Sequence, residues 1–131
     1  MAKEVICVSE EGMTSTNAVR DFEVTIDATG KTAPDTLESL LAAYASCYVP
    51  ALRVGGEQRG IEDLGHVEID AHGELNDDDK LEAVRFDVRV EADPDDETME
   101  RAVHRANDLC KVHDAMKGSL HPDVAVKTDA F

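Results

Sequence analysis

Residues 32–53 read TAPDTLESLLAAYASCYVPALR, and the fold turns on how this stretch is read. Pro34 followed by Asp35 or Thr36 is helix-start chemistry. Leu37, Leu40, Leu41, Tyr44, Tyr48 and Ala51 then recur at helical spacing until Gly55-Gly56, where the run is expected to stop. The spacing predicts a first helix over roughly 35–54. It is apolar, carries Cys47 near its middle, and holds Glu38 nine residues earlier.

Working outward, KEVICV at 3–8 and RDFEVTID at 20–27 cluster or alternate strand formers, with MTSTNA between them reading as a turn. Past the helix, HVEIDAHGEL at 66–75 and LEAVRFDVRVEA at 81–92 flank the polar NDDD and predict a hairpin with one wet face. DPDDETMERAVHRANDLCKVHDAM starts with acids that suit a helix N-terminus. It continues with Met99, Ala102, Val103, Ala106, Leu109, Cys110 and His113 on one stripe, predicting a second helix over roughly 95–115. DVAVKTDAF closes the chain as a last strand. The order ββ-α-ββ-α-β has no repeat and no composition break, so the class is α+β and residues 1–131 are expected to form one domain.

Thirteen Lys plus Arg oppose 29 Asp plus Glu, a formal net charge of -16. That imbalance repels phosphate backbones and anionic lipid, so neither nucleic acid nor a membrane is an expected partner. No window approaches the ~20 apolar residues of a membrane span, and MAKEVICVSEEG lacks a signal peptide's apolar core, so a cytoplasmic protein is expected. The acid is dispersed along the chain rather than gathered in a tail, and there are six lysines and five aromatic residues. This composition resembles the style of halophilic microbes, the ordinary alternative being an acidic mesophilic protein.

Three cysteines without a secretion signal argue for reduced thiols rather than a disulfide framework. Cys7, between Ile6 and Val8, reads as core. Cys47 and Cys110, on separate helices, can be buried bystanders, a metal pair, or a peroxidatic and a resolving thiol. Free cysteine packs readily as a small hydrophobe. Cys110-x-x-His113 could be half a zinc site, but no second paired ligand motif accompanies it. Tyr44 and Tyr48, at i and i+4, read as packing or as the wall of an apolar channel.

The pattern Pro34-x-x-x-Glu38-x-Leu40-Leu41-Ala42-Ala43-x-Ala45-x-Cys47 resembles the first active-site helix of the OsmC/Ohr superfamily, in which a later helix carries a second cysteine. The resemblance covers nearly the whole chain. It implies an intertwined homodimer that reduces hydroperoxides with thiols at sites on the subunit interface, the electron donor often being a lipoyl dithiol. By position Cys47 would be the peroxidatic thiol, Cys110 the resolving thiol and Glu38 the helix carboxylate, with Arg20 the candidate activating arginine. The chain departs from the family in having Lys111 rather than proline after Cys110, and in lacking a glycine-rich motif around Arg20.

Such chemistry requires a thiolate, and an ordinary cysteine is only about 3% ionised at pH 7. A mid-helix Cys47 is out of reach of its own helix N-terminus, so a cation is expected to activate it. Arg20 would stabilise thiolate and peroxide oxygen while Glu38 grips the guanidinium. Nine residues rotate Glu38 about 180° from Cys47 and separate them by roughly 13 Å, so one helix cannot bring both to one site. A homodimer in which Glu38 serves the partner's cysteine would, as would an arginine lying between the two. Oxidised Cys47 would condense with Cys110 into a disulfide awaiting an external dithiol, with no flavin, haem or metal required. The alternative is a redox-silent relative that binds a small apolar ligand at the dimer interface.

Overall fold

The computed structural model describes residues 1–131, which divide into two compact units, residues 1–40 and 41–131. The class is α+β as expected, with two three-stranded sheets and three helices.

The first unit is an antiparallel meander of β1 (Ile6–Val8), β2 (Thr14–Val19) and β3 (Phe22–Asp27). The predicted turn MTSTNA is therefore mostly strand. Its Ser, Thr and Asn look like turn formers, but β-branched threonine suits an extended chain that pairs on both sides. The reversal falls instead at Arg20-Asp21. Cross-strand register puts Cys7, Asn17 and Val24 on one face of this ribbon and Ile6, Val8 and Ala18 on the other. Val5, Ile6, Val8, Met13, Phe22 and Val24 are all exposed in the single chain. Cys7 is exposed too, contrary to its expected place in a core, because nothing in this thin ribbon covers it. After β3, the buried Asp27 carboxylate accepts from the N–H groups of Thr29, Lys31 and Thr32 and from the hydroxyls of Thr29 and Thr32. These donors hold its pKa well below the usual carboxylate range.

The helix α1 (Thr36–Gln58) begins in the first unit and ends in the second. It runs through Gly55-Gly56, where the sequence predicted a stop. A Cβ on Gly55 would sit 2.9 Å from the Ala102 carbonyl oxygen and 3.1 Å from the Ala106 nitrogen, so glycine here permits a close helix crossing. Packing outweighs the weak helix propensity of glycine. The partner at that crossing is α2 (Asp96–Leu109).

In the second unit β4 (Val67–Leu75) and β5 (Leu81–Val90) form the expected hairpin, and β6 (Asp123–Lys127) adds parallel to β5. Val84, Phe86, Val88 and Val90 alternate along β5 into a core shared with Tyr44, Tyr48 and Leu52 of α1 and Met99, Ala102 and Ala106 of α2. Each Val, Leu, Phe or Met among them contributes about 1.5–3 kcal/mol on burial. The intervening Arg85, Asp87 and Arg89 face water. There Arg89 reaches Glu68 directly across the hairpin at 3.0 Å.

The second helical stretch is broken. Helix α2 ends at Leu109, and α3 (Lys111–Ala115) begins after Cys110, whose φ of -72° and ψ of 112° are extended. Asp95 opens α2 by accepting from the Thr98 N–H at 2.7 Å. No helix is long and apolar enough to cross a membrane.

Candidate functional site

Cys110 is the C-cap of α2 and the N-cap of α3 at once. Its N–H donates to the Ala106 carbonyl, while its sulfur accepts from the His113 N–H at 3.5 Å. A cysteine sulfur thus stands where serine or aspartate usually caps. This break is what the uniform apolar stripe concealed. It turns the first N–H groups of α3 out of helical pairing and leaves them free to meet another acceptor.

That acceptor is Cys47. The half-buried Cys47 sulfur lies beside the Val112 and Lys111 N–H groups and the Cys110 thiol, near enough for each to favour its thiolate, and the Lys111 ammonium acts on it through its charge. Burial opposes ionisation of Cys47, but these donors and the ammonium together outweigh it and lower its pKa. Cys110 is driven the other way. Its burial is the largest cause, and only partly offset by the His113 N–H, while sharing a proton with Cys47 raises it further. The pair is therefore polarised, with thiolate favoured at Cys47 and thiol at Cys110.

The expectation that only a cation could activate Cys47 overlooked this arrangement. Cys47 is too far along its own helix to use that helix's N-terminus, but it lies against the start of a different one. The residue at position 111 matters in the same way. Lysine supplies both an N–H and a charge, and a proline there would supply neither.

Tyr44 and Tyr48 lie near the buried Cys110. The Tyr44 ring packs edge-on to Phe86 at 5.1 Å and tilts against His113 at 6.4 Å. Its buried hydroxyl has no hydrogen-bond partner, and its pKa is pushed up to about 12 by burial and by the nearby Cys110. Tyr48 instead donates to the Asn107 side-chain oxygen at 2.8 Å. The two tyrosines lie wholly within the core. His113 stacks on His121 with ring centroids 3.7 Å apart and planes at 26°. The sequence singled out His113 only as half of a possible zinc site with Cys110 and gave His121 no role, because their stacking depends on the chain turning back through Gly118–Leu120.

Glu38 lies at the start of α1, where its carboxylate accepts from the Asp35 N–H at 2.9 Å while Asp35 accepts from the Glu38 N–H at 2.8 Å. This reciprocal capping box gives Glu38 a structural task within its own chain. Arg20 occupies the turn between β2 and β3 with φ of 54°, a left-handed conformation unusual for a side chain of this size. Its guanidinium lies over the Phe22 ring at 5.1 Å. Arg20 and Glu38 form no ion pair within the chain. No cluster of three or more His, Cys, Asp or Glu side chains is placed to hold a metal ion.

Comparison with known proteins agrees with this architecture. The family model described as OsmC-like protein matches residues 14–125. An uncharacterized protein of Haloferax volcanii is 48% identical over 124 residues, spanning 95% of this chain and 94% of that one. Among solved structures, an OsmC-like protein from Mycoplasma pneumoniae superposes with a TM-score of 0.85 at 15% identity, covering 98% of this chain and 97% of that one. The organic hydroperoxide resistance protein OhrB of Bacillus subtilis superposes with a TM-score of 0.73 at 21% identity, covering 97% and 98%. At such identities the structural likeness speaks for the fold alone. The family match over most of the length, together with the Haloferax relative, settles the family: the chain belongs to the OsmC-like proteins.

Proposed function

We propose that this protein is a thiol-dependent hydroperoxide reductase in which Cys47 is the nucleophile and Cys110 the resolving thiol. The observation that carries the proposal is two free thiols brought together where Cys110 caps α3, in surroundings that lower the pKa of the more exposed Cys47 and raise that of the buried Cys110. Family membership and neighbours named as organic hydroperoxide resistance proteins support it.

In the reaction the Cys47 thiolate attacks the terminal peroxide oxygen. The O–O bond breaks, the alkoxide takes a proton to leave as alcohol, and Cys47 becomes a sulfenic acid. The Cys110 sulfur then attacks the Cys47 sulfur and displaces hydroxide, which leaves as water with the Cys110 proton. An external dithiol, a lipoyl group being our candidate, reduces the disulfide by exchange.

The working unit is proposed to be a homodimer with one functional domain per chain. The apolar ribbon of the first unit supports this, since three strands with exposed apolar side chains on both faces have surface left to bury. Across the dimer, Arg20 would stabilise the peroxide oxygen and Glu38 would orient Arg20. The capping role of Glu38 within its chain leaves its second carboxylate oxygen for that contact. The excess of acid and the Haloferax relative support a salt-adapted cytoplasmic protein.

The test is the rate of loss of cumene hydroperoxide and of hydrogen peroxide with a lipoyl dithiol in high salt, for wild type, Cys47→Ser and Cys110→Ser. Turnover abolished by Cys47→Ser, with Cys110→Ser halting after one equivalent, is the expected result. No turnover in the wild type would favour a redox-silent protein that binds an apolar ligand.

A further inference from the structure

His113 touches the two-thiol site through its main chain and a second histidine through its ring. Its N–H donates to the Cys110 sulfur at 3.5 Å, and its carbonyl accepts from the Met116 N–H at 3.2 Å. Its ring stacks on His121 at 3.7 Å. His121 in turn has Nε2 3.1 Å from the Met116 carbonyl oxygen. A carbonyl only accepts, so Nε2 carries hydrogen, and in the neutral ring Nδ1 is bare. The Leu120 N–H to Lys117 carbonyl and His121 N–H to Gly118 carbonyl bonds complete the turn that brings the rings together. Residues 110–121 thus form a loop closed on itself by one ring stack and one imidazole hydrogen bond.

The loop holds what Cys47 depends on. Lys111 and Val112, whose N–H groups favour the Cys47 thiolate, lie between the capping Cys110 and the stacked His113. We propose that the His113–His121 stack is a positioning device for the two-thiol site, keeping the Lys111 and Val112 N–H groups on Cys47, and that protonation of the pair in mild acid opens it and withdraws thiolate from Cys47. The proposal rests on Cys47 being the reactive thiol.

Two imidazoles face to face at 3.7 Å stack well when neutral, but cannot both be charged without strong repulsion. The groups round His113 come from every neighbouring element. Tyr44 faces it from α1, Asp108 from the end of α2, Asp114 from α3 itself and His121 from the turn beyond. Burial and then His121 disfavour a charge on His113, while Asp108 and Asp114 favour one, and the net effect lowers its pKa. The closed loop therefore prefers neutral His113, and the opened loop binds more protons. By linkage, closure is fully favoured above the ordinary histidine range of about 6.5 and is lost as pH falls below it. This is a sense of change opposite to that of an imidazole paired with a carboxylate.

The experiment measures alkylation of Cys47 by iodoacetamide, read by mass spectrometry from pH 5 to 9, in a Cys7→Ser background. Wild type is compared with His121→Phe, which keeps an aromatic partner for His113 that cannot itself be charged and so removes the repulsion between two imidazolium rings, and with His121→Ala, which removes the stack. A simple thiol loses tenfold in rate per pH unit below its pKa. Wild type is expected to fall more steeply than that below about pH 6.5, and His121→Phe to follow the simple slope. His121→Ala should be roughly fivefold slower at pH 7, the effect of weakening a charge-assisted hydrogen bond. A wild-type slope that stays simple to pH 5, or a His121→Phe profile that matches wild type, overturns the proposal even if His121→Ala fails to fold. Alkylation needs no peroxide, so absent turnover with the steep profile intact would count against the reductase reading alone.

Discussion

At the scale of single residues, the main observation is that Cys47 draws its acidity from the backbone of another helix. Lys111 is the residue through which this can be tested. Lys111→Met removes a charge that is exposed to solvent, so its effect on Cys47 alkylation at pH 7 should be small, about twofold, and should vanish in molar salt. Lys111→Pro occupies the first position of α3, where proline is tolerated, but deletes an N–H aimed at the sulfur. Its alkylation rate should drop roughly fivefold to tenfold in any salt. Equal behaviour of the two variants would argue that charge, not the hydrogen bond, activates Cys47. Arg20 offers a second test. A left-handed arginine is strained, so Arg20→Gly should raise the melting temperature slightly while lowering peroxide turnover. A stabilised variant with undiminished turnover would remove Arg20 from the proposed site.

At the scale of elements, two close fits hold the site in place. The first is the crossing of α1 and α2 at Gly55, which fixes how the Cys47 helix lies against the helix that ends at Cys110. Gly55→Ala would drive a methyl against the Ala102 carbonyl and should cost about 1–3 kcal/mol by overpacking. Thermal unfolding should shift down by roughly 5–10 °C; an unchanged melting temperature would mean the crossing has slack. The second is the Asp27 loop after β3. Asp27 has a folded pKa below its unfolded one, so its contribution to stability is present above about pH 4 and is lost as pH falls through that range. Asp27→Asn should be less stable at pH 7 and should show a shallower loss of stability between pH 5 and 2. Denaturant titrations at those pH values would check both.

For the whole molecule, the single chain is left with an apolar ribbon and a strong negative charge. Exposed Ile6, Val8, Phe22 and Val24 predict a dimer, so light scattering after size exclusion should give twice the chain mass, and Phe22→Asp with Val24→Asp should shift it toward monomer. A monomeric wild type with full turnover would defeat the proposed sharing of Arg20 and Glu38 between subunits. The charge of -16 repels itself most at low ionic strength, so melting temperature should climb from low to molar KCl.

What could be read from the amino-acid order was whatever is local or periodic. The start of α1, the hairpin of β4 and β5 with its wet face, the acidic opening of α2 and the pattern from Pro34 to Cys47 all depend on neighbours a few residues apart. The failures mark the points where distant atoms decide. Gly55-Gly56 reads as a stop until α2 is laid against it, and MTSTNA at 13–18 reads as a turn until strands pair on either side of β2. The stripe from Met99 to His113 reads as one helix until Cys110 caps both sides of a break. Sequence alone put two thiols on two helices. Only tertiary structure, by turning the N–H groups of Lys111 and Val112 onto Cys47 and burying Cys110, made them unequal, because the acidity of a thiol is set by the donors, charges and solvent around the sulfur in space.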